Sequence, residues 1–462
     1  MAPIRKTDAR SEKRDRTSPE SSVRPNQLVR QNEYSPSLAL CTLARGLELA
    51  LLRRNVKHGS SQTNNHMRIA RTIGQIAAGA VLVICLLVLI GAHAYGLPLI
   101  APIGSTVLSI LGPWLIVVPI AIGALEIRLW RASHSRGTLL LMTMAVAATG
   151  WASVALARMV AEFHNHRVPI NLVRAFGMKV SQGSRRDDDL VYGTWKDKPL
   201  RLVVYKPSAA TAGESVPILL YIHGGGFTMG DRFESGSNLR WFTDRGWLAL
   251  SIDYVLSSVD RHLWDVATSQ VACAMAWTAA NAARLGGDPA RISLLGSSAG
   301  GNLAINAAYL ANAGRLESSC GGTVPRVAAV GALYPPVDLA AAWASQVPAI
   351  SDMARQFNTY YVGGSPQQFP DRYRFVDSAT HINAAAPPTL VIFGANDHLV
   401  PPDATDRFAQ QARDAGVDIT SIRFPYGDHA FNLNQYGLGN QFYLGMTERF
   451  LSEHGQRPAN SR

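Results

Sequence analysis

The sequence predicts an α/β domain with a mostly parallel central sheet, preceded by about three membrane-spanning helices. Three observations predict it. Seven short apolar runs recur after about residue 168 with helix-like segments between them, the pattern of a parallel sheet covered on both faces. Three long apolar stretches come before them, each near the roughly 20 residues needed to cross a hydrocarbon core. Of the net +11, most sits at the front: residues 1–71 hold 14 Lys/Arg against six acids. That asymmetry suits an anionic membrane surface, and no nucleic-acid-binding motif accompanies it.

In chain order, residues 1–36 are rich in Arg, Ser, Asp and Glu and read as a disordered tail. Residues 37–57 look helical and end in cations, which fits either an interfacial or a soluble helix. The apolar stretches are 73–94, 99–127 and 138–157, the third being the least apolar. About seventy residues precede the first, too many for a cleavable signal peptide. The front end is cationic, the link at 96–98 has no Lys or Arg, and the next link carries Arg128, Arg131 and Arg136. By the positive-inside rule the N-terminus and second link are cytoplasmic, and three spans put the C-terminal domain outside. Arg158, Arg167 and Arg174 after the third span run against that placement. The expected organisation is a basic cytoplasmic tail at 1–70, a transmembrane region at 71–160 and a catalytic domain at 161–462.

Expected strands are RLVVY (201–205), PILLYIH (217–223), LALSIDY (248–254), ISLLG (292–296), VAAVGALY (327–334), TLVIFG (389–394) and ITSIRF (419–424). Helices are expected at 265–284, 299–313 and 404–415. The four cysteines, Cys41, Cys85, Cys273 and Cys320, show no metal-ligand spacing. Cys273 and Cys320 are read as separate thiols, with a pair between them as the alternative in an oxidising compartment.

Chemistry concentrates in four places. Gly296-Ser297-Ser298-Ala299-Gly300 fits G-x-S-x-G between a strand and a helix, so Ser298 sits at the sharp turn of a nucleophile. His223-Gly224-Gly225-Gly226-Phe227 follows another strand. Its glycines leave backbone N–H groups open, and Gly225 and Gly226, with Ala299, are the expected oxyanion donors. His223 and Gly224 are read as support for that loop. Asp397 ends one later strand–loop unit and His429 the next, giving the order Ser, Asp, His. In such a set the histidine takes the serine proton and the acid fixes the histidine's tautomer. Asp428 and Asp403 are the competing acids; Asp428 adjoins the histidine and Asp403 suits a helix start, so both are disfavoured.

From about residue 191 onward the chain resembles α/β-hydrolase esterases and lipases with an HGGG oxyanion motif. These include hormone-sensitive-lipase-like carboxylesterases and the kynurenine-formamidase and feruloyl-esterase-like group. The resemblance rests on HGGGF (223–227), Asp253-Tyr254, GGDPARI (286–292), GSSAGG (296–301), PPTLVIFGANDHLVPP (387–402) and GDHAFN (427–432). It implies the hydrolase sheet, the triad and carboxylic-ester hydrolysis. Two departures set the chain apart: Ser297 precedes the serine, and VLSSVDRHLWD follows Asp253-Tyr254 where a proline-rich run is usual. The apolar front end joined to such a domain is similar to actinobacterial membrane-associated esterases.

The leading expectation is a membrane-anchored serine esterase acting on small or lipid-like esters with short to medium acyl groups. Residues 334–384, with Trp343, Phe357, Tyr360, Tyr361 and Phe369, are expected either to wall the acyl pocket or to form the core of cap helices. Amide or formamide hydrolysis, or acyl transfer to an envelope component, would use the same acyl-enzyme. A non-catalytic membrane interaction protein is the alternative of another class. Membrane lipids are the other expected partner; no nucleic acid, cofactor or metal is expected, the twelve histidines showing no H-E-x-x-H pattern.

Overall fold

The computed structural model describes residues 60–180, 184–208, 215–348 and 350–459. The expected tail at 1–36, the helix at 37–57 and Cys41 lie outside the described residues.

Eight strands form one sheet: β1 (Asp188–Trp195), β2 (Lys198–Tyr205), β3 (Val216–Ile222), β4 (Leu248–Ile252), β5 (Gly287–Ser297), β6 (Ala329–Leu333), β7 (Thr389–Gly394) and β8 (Ile419–Phe424). Their order is β1-β2-β4-β3-β5-β6-β7-β8, with β2 antiparallel to both its neighbours, β1 and β4, and every other neighbouring pair parallel. This is the arrangement expected from the resemblance to α/β hydrolases. Strands β3, β4, β6 and β7 are almost wholly buried, which is why they read as unbroken apolar runs. The chain steps from β3 to β4 in one direction and then works back through β5 to β8. Right-handed crossovers therefore put the first helix, α5 (Gly236–Thr243), on one face and the next two, α6 (Ala267–Leu285) and α7 (Ala299–Asn312), on the other. Every loop after β3 to β8 consequently opens at one end of the sheet.

Strand β1 is absent from the sequence-based expectation. It is an edge strand, half exposed, bearing two aspartates and a glycine, so it lacks the apolar run that marks the inner strands.

Cys273 and Cys320 are joined in a disulfide, which overturns their reading as separate thiols. A stretch of 47 residues separates them in sequence and hid the pairing, although their Cα atoms lie 5.4 Å apart. The register of β1 shifts between Val191 and Gly193 at this point. A β-carbon on Gly193 would come within 2.7 Å of the Cys273 sulfur, so the strand passes only because that residue is glycine. Closing a loop of this length restricts the unfolded chain by about 4 kcal/mol in the chain-entropy account. Replacing both cysteines with alanine is expected to lower the unfolding free energy by about 2–4 kcal/mol, measured by urea titration under non-reducing conditions.

The front of the described chain holds α1 (Ser60–His93), α2 (Ile100–Leu111), α3 (Trp114–Ser133) and α4 (Arg136–Asn165). Two helices, over Asn65–His93 and Arg136–Asn165, are long and apolar enough to cross a membrane; α2 and α3 add a third if the pair counts as one span. The expectation of one continuous stretch at 99–127 is corrected: α2 and α3 meet at 86°. Pro113 at the junction lacks the N–H a continuous helix needs and crowds the preceding turn. Trp114 then starts α3, whose indole N–H donates to the Phe176 carbonyl at 2.9 Å.

Side-chain bonds show how these helices run. Near the start of α1, Arg71 donates to Ser133 and Leu129 at the end of α3 and to Thr138 at the start of α4. Gln75 joins Thr138 at 2.8 Å and the buried Glu126 at 3.3 Å. At the opposite end Trp151 of α4 donates to His93 of α1 at 3.2 Å. Thus α1, α3 and α4 alternate in direction, and both α1 and α4 end against the sheet domain. Many residues on the outside of this bundle are apolar, among them Ile76, Ile84, Ile120, Leu140 and Val146. Two of the three later cations are engaged by the sheet domain: Arg158 donates to the Tyr426 hydroxyl at 2.9 Å and Arg174 lies over the Tyr436 ring.

Candidate active site

Strand pairing places the motifs before any side chain is considered. Ile222, at the end of β3, is opposite Gly296 near the end of β5, so residues 223–227 and the serine turn emerge side by side. Gly394, at the end of β7, is opposite Phe424 at the end of β8, which brings the Asp397 and His429 loops together.

The turn between β5 and α7 (Ala299–Asn312) holds Ser298 at φ 51°, ψ −123°. This is an unfavourable conformation for a residue with a β-carbon, costing about 1–3 kcal/mol. The two motif glycines permit it. A β-carbon on Gly300 would lie 2.1 Å from the Ile222 carbonyl oxygen, and one on Gly296 would lie 2.2 Å from that of Gly300. The Ser298 amide donates to the Leu333 carbonyl at 2.8 Å, tying the turn to β6. Ser298 thus stands at the mouth of the sheet, directly before the N-terminus of α7.

Its hydroxyl lies 3.0 Å from His429 Nε2, and His429 Nδ1 lies 2.8 Å from Asp397 Oδ2. With the carboxylate facing Nδ1, that nitrogen carries the proton and Nε2 is left as the acceptor for the serine O–H. Asp397 is 1% exposed, and its other oxygen accepts the backbone N–H groups of Leu399 and Val400 at 3.0 and 2.7 Å. The Tyr334 ring packs against the His429 imidazole with centroids 4.5 Å apart.

Asp428 and Asp403 are occupied elsewhere. Asp428 is buried, faces His398 Nδ1 at 2.8 Å, and accepts the backbone N–H groups of His398 and His429. Asp403 lies in the first turn of α11 (Pro402–Asp414) and pairs with Arg423.

Gly224 packs against the serine turn: a β-carbon there would sit 3.3 Å from that of Ser298. Gly225 and Gly226 adopt φ of 99° and 58°, in the region that favours glycine. Among the described residues, the backbone N–H groups of Gly225, Gly226 and Ala299 donate to no protein group. His223 Nδ1 donates to the Gly224 carbonyl at 2.8 Å, and its ring stacks on Tyr254, whose hydroxyl donates to the His223 carbonyl. Burial pushes the His223 imidazole below its usual pKa, so it stays neutral. It braces the loop. Asp253 takes the Arg232 guanidinium at 2.6 Å and Arg232 N–H at 2.8 Å, fixing the far end of the same loop.

The segment 334–384 forms α8 (Leu339–Ala344), α9 (Ile350–Val362) and α10 (Pro370–Val376). Phe357 of α9 packs on Gly226, where a β-carbon would come within 2.5 Å of the ring, whereas Tyr361 is buried flat against Phe227 at 3.7 Å. Phe357 thus meets the glycine loop, and Tyr361 is core.

The contacts of three residues escaped the sequence. Ser297 is buried, and its hydroxyl donates to Glu234 at 3.2 Å while Tyr221 lies 2.9 Å away. Glu234 also accepts the Gly224 N–H, so it joins the serine turn to the glycine loop from below. Tyr334 closes one side of His429. No motif marks Glu234 or Tyr334; only the folded sheet brings them in.

The chain is similar in sequence to known esterases. The BD-FAE family model matches residues 202–412. Esterase LipQ of Mycobacterium tuberculosis is 30% identical over 248 residues, covering 53% of this chain and 57% of that protein. The probable carboxylic ester hydrolase LipM of the same organism is 27% identical over 279 residues, covering 60% and 63%. The chain therefore spans roughly three fifths of the length of these relatives. Among solved structures, a propionate-bound esterase from Thermogutta terrifontis covers 58% of this chain and 95% of its own, with 25% identity and a TM-score of 0.49.

Proposed function

We propose that this chain is a membrane-anchored serine esterase, with Ser298 as nucleophile, His429 as general base and acid, and Asp397 as the acid that orients it. The observation that carries this reading is the hydrogen-bonded series from Ser298 through His429 to Asp397 at the strained turn before α7. The Ser298 oxygen attacks the acyl carbon as its proton passes to His429 Nε2. Negative charge grows on the former carbonyl oxygen, where the N–H groups of Gly225, Gly226 and Ala299 and the N-terminus of α7 offset it. His429 returns the proton to the departing alkoxide, leaving an acyl-serine. Water then enters, deprotonated by His429, and releases the acid.

The membrane part of the proposal has two supports. The basic ends of α1 and α3, with Arg68, Arg71, Arg128 and Arg131, lie at the end of the bundle away from the sheet, as cytoplasmic ends do. The Cys273–Cys320 disulfide belongs to an oxidising compartment, on the other side. The division into a tail at 1–70, a bundle at 71–160 and a catalytic domain at 161–462 follows the same reading.

The full-length protein in detergent, assayed with p-nitrophenyl esters from acetate to palmitate alongside aryl formamides and acetylated sugars, is expected to turn over short and medium esters fastest. Preference for formamides would reassign the substrate. A C-terminal reporter that is active only in the cytoplasm would reverse the orientation.

A further inference from the structure

One cluster of contacts between the bundle and the sheet domain falls on the loop that carries Asp397. Three consecutive residues of that loop are each held by the turn after α1 or by α2. Asn396 Nδ2 donates to the Ala92 carbonyl at 2.6 Å and to the Ser105 hydroxyl at 3.0 Å. The Asp397 carbonyl accepts the Tyr95 hydroxyl at 3.1 Å. His398 stacks on the Tyr95 ring, centroids 4.5 Å apart and 13° from parallel, with its Nε2 3.3 Å from the Tyr95 carbonyl. His398 is also the partner of Asp428, which holds the amide of His429. Tyr95 is therefore bonded to Asp397 and reaches His429 through two buried side chains.

The turn that presents Tyr95 joins two helices in close backbone contact. A β-carbon on Gly91 would lie 2.2 Å from the Ile100 carbonyl oxygen, and one on Gly104 would lie 2.5 Å from that of Val88, so α1 and α2 touch backbone to backbone. Burial, then the nearby Asp397 and Asp428 charges, push the Tyr95 phenol up to about 12, so it remains a donor. The loop after β8 is held in parallel: Ser109 donates to the Tyr426 carbonyl and His93 packs on the Tyr426 ring. A membrane anchor alone has no use for such contacts; a tether would serve as well.

We infer that the bundle completes the active site, with Tyr95 as a positioning residue that, together with Ser105, holds the Asp397 loop so that the carboxylate meets His429. The inference rests on the triad assigned above. A displacement of about 1 Å at a catalytic group costs up to about 100-fold in rate, so small slackening of this loop is enough to be measured.

The test is a double-mutant cycle on the full-length protein in detergent, measuring kcat, KM and the rate at which a fluorophosphonate labels Ser298. Tyr95→Ala is expected to lower kcat and labelling by about 10- to 100-fold with KM within about twofold. Tyr95→Phe, which keeps the stack and loses the hydroxyl, falls between. In an Asp397→Asn background the Tyr95 substitutions are expected to cost almost nothing, because the group they position is already gone. A purely structural role gives the same fold-loss in both backgrounds, and that result, or an unchanged kcat in both Tyr95 variants, would overturn the inference. Should Tyr95→Ala not fold, the cycle is read on Tyr95→Phe with the same two outcomes. Full activity in Ser298→Ala would instead sink the triad, so the two failures are distinguishable.

Discussion

Ser298→Ala is expected to lower kcat for ester hydrolysis by about four to six orders of magnitude, with KM little changed. The substitution removes the proposed attacking atom: the hydroxyl 3.0 Å from His429 Nε2, on the turn next to the glycine loop. Whatever rate remains comes from water oriented by His429 and from the backbone donors, which are untouched. Stability separates this loss from damage to the fold. Alanine keeps the β-carbon and hence the strain at φ 51°, whereas glycine relieves it. Ser298→Gly is therefore expected to be as inactive as Ser298→Ala yet more stable by about 1 kcal/mol, read as a higher midpoint in urea. An alanine variant that retains more than about a hundredth of the wild-type kcat would show that another group attacks.

How far the sequence carries such an argument depends on which forces act locally. Strands β3, β4, β6 and β7 are legible because each is buried on both faces and needs an unbroken apolar run, as in PILLYIH and TLVIFG. The serine turn is legible because close backbone approach demands glycine at 296 and 300 and leaves a fixed spacing behind. Edge strand β1 escapes, since half-exposed residues such as Asp189 and Val191 obey no apolar pattern. The disulfide escapes because loop closure brings Cys273 to Cys320 with no local mark on either. Hydropathy finds the apolar stretch at 99–127 but not its bend, although Gly112-Pro113 lies within it, because composition is insensitive to the direction of a helix. Tyr95, 302 residues from Asp397, shows the limit most plainly. It sits in a short link that reads as a connection between spans, and its chemistry arises only from what the folded chain stacks against it.

The choice of acid gives the second large effect, and the structure supplies a reason that sequence adjacency does not. One oxygen of Asp397 accepts two backbone N–H groups, from Leu399 and Val400, while the other faces His429 Nδ1. In Asp397→Asn the amide oxygen must stay with those two donors, which forces the NH2 toward Nδ1. The histidine then adopts the tautomer with hydrogen on Nε2, and Nε2 cannot accept the serine proton. A fall in kcat of about four orders of magnitude is expected, with the fold intact. Asp428→Asn makes the contrast. Its oxygens hold His398 and two backbone N–H groups but leave both ring nitrogens of His429 alone. It is expected to cost stability, about 1–3 kcal/mol for a disturbed buried pair, and only about 10- to 100-fold in kcat. Comparable losses of kcat in the two variants, at matched stability, would mean that the acid is shared between Asp397 and Asp428. A severe loss in Asp428→Asn alone would move the role to Asp428. Neither is the expected outcome, because Asp397 is the carboxylate beside Nδ1 of His429 and Asp428 is turned to His398.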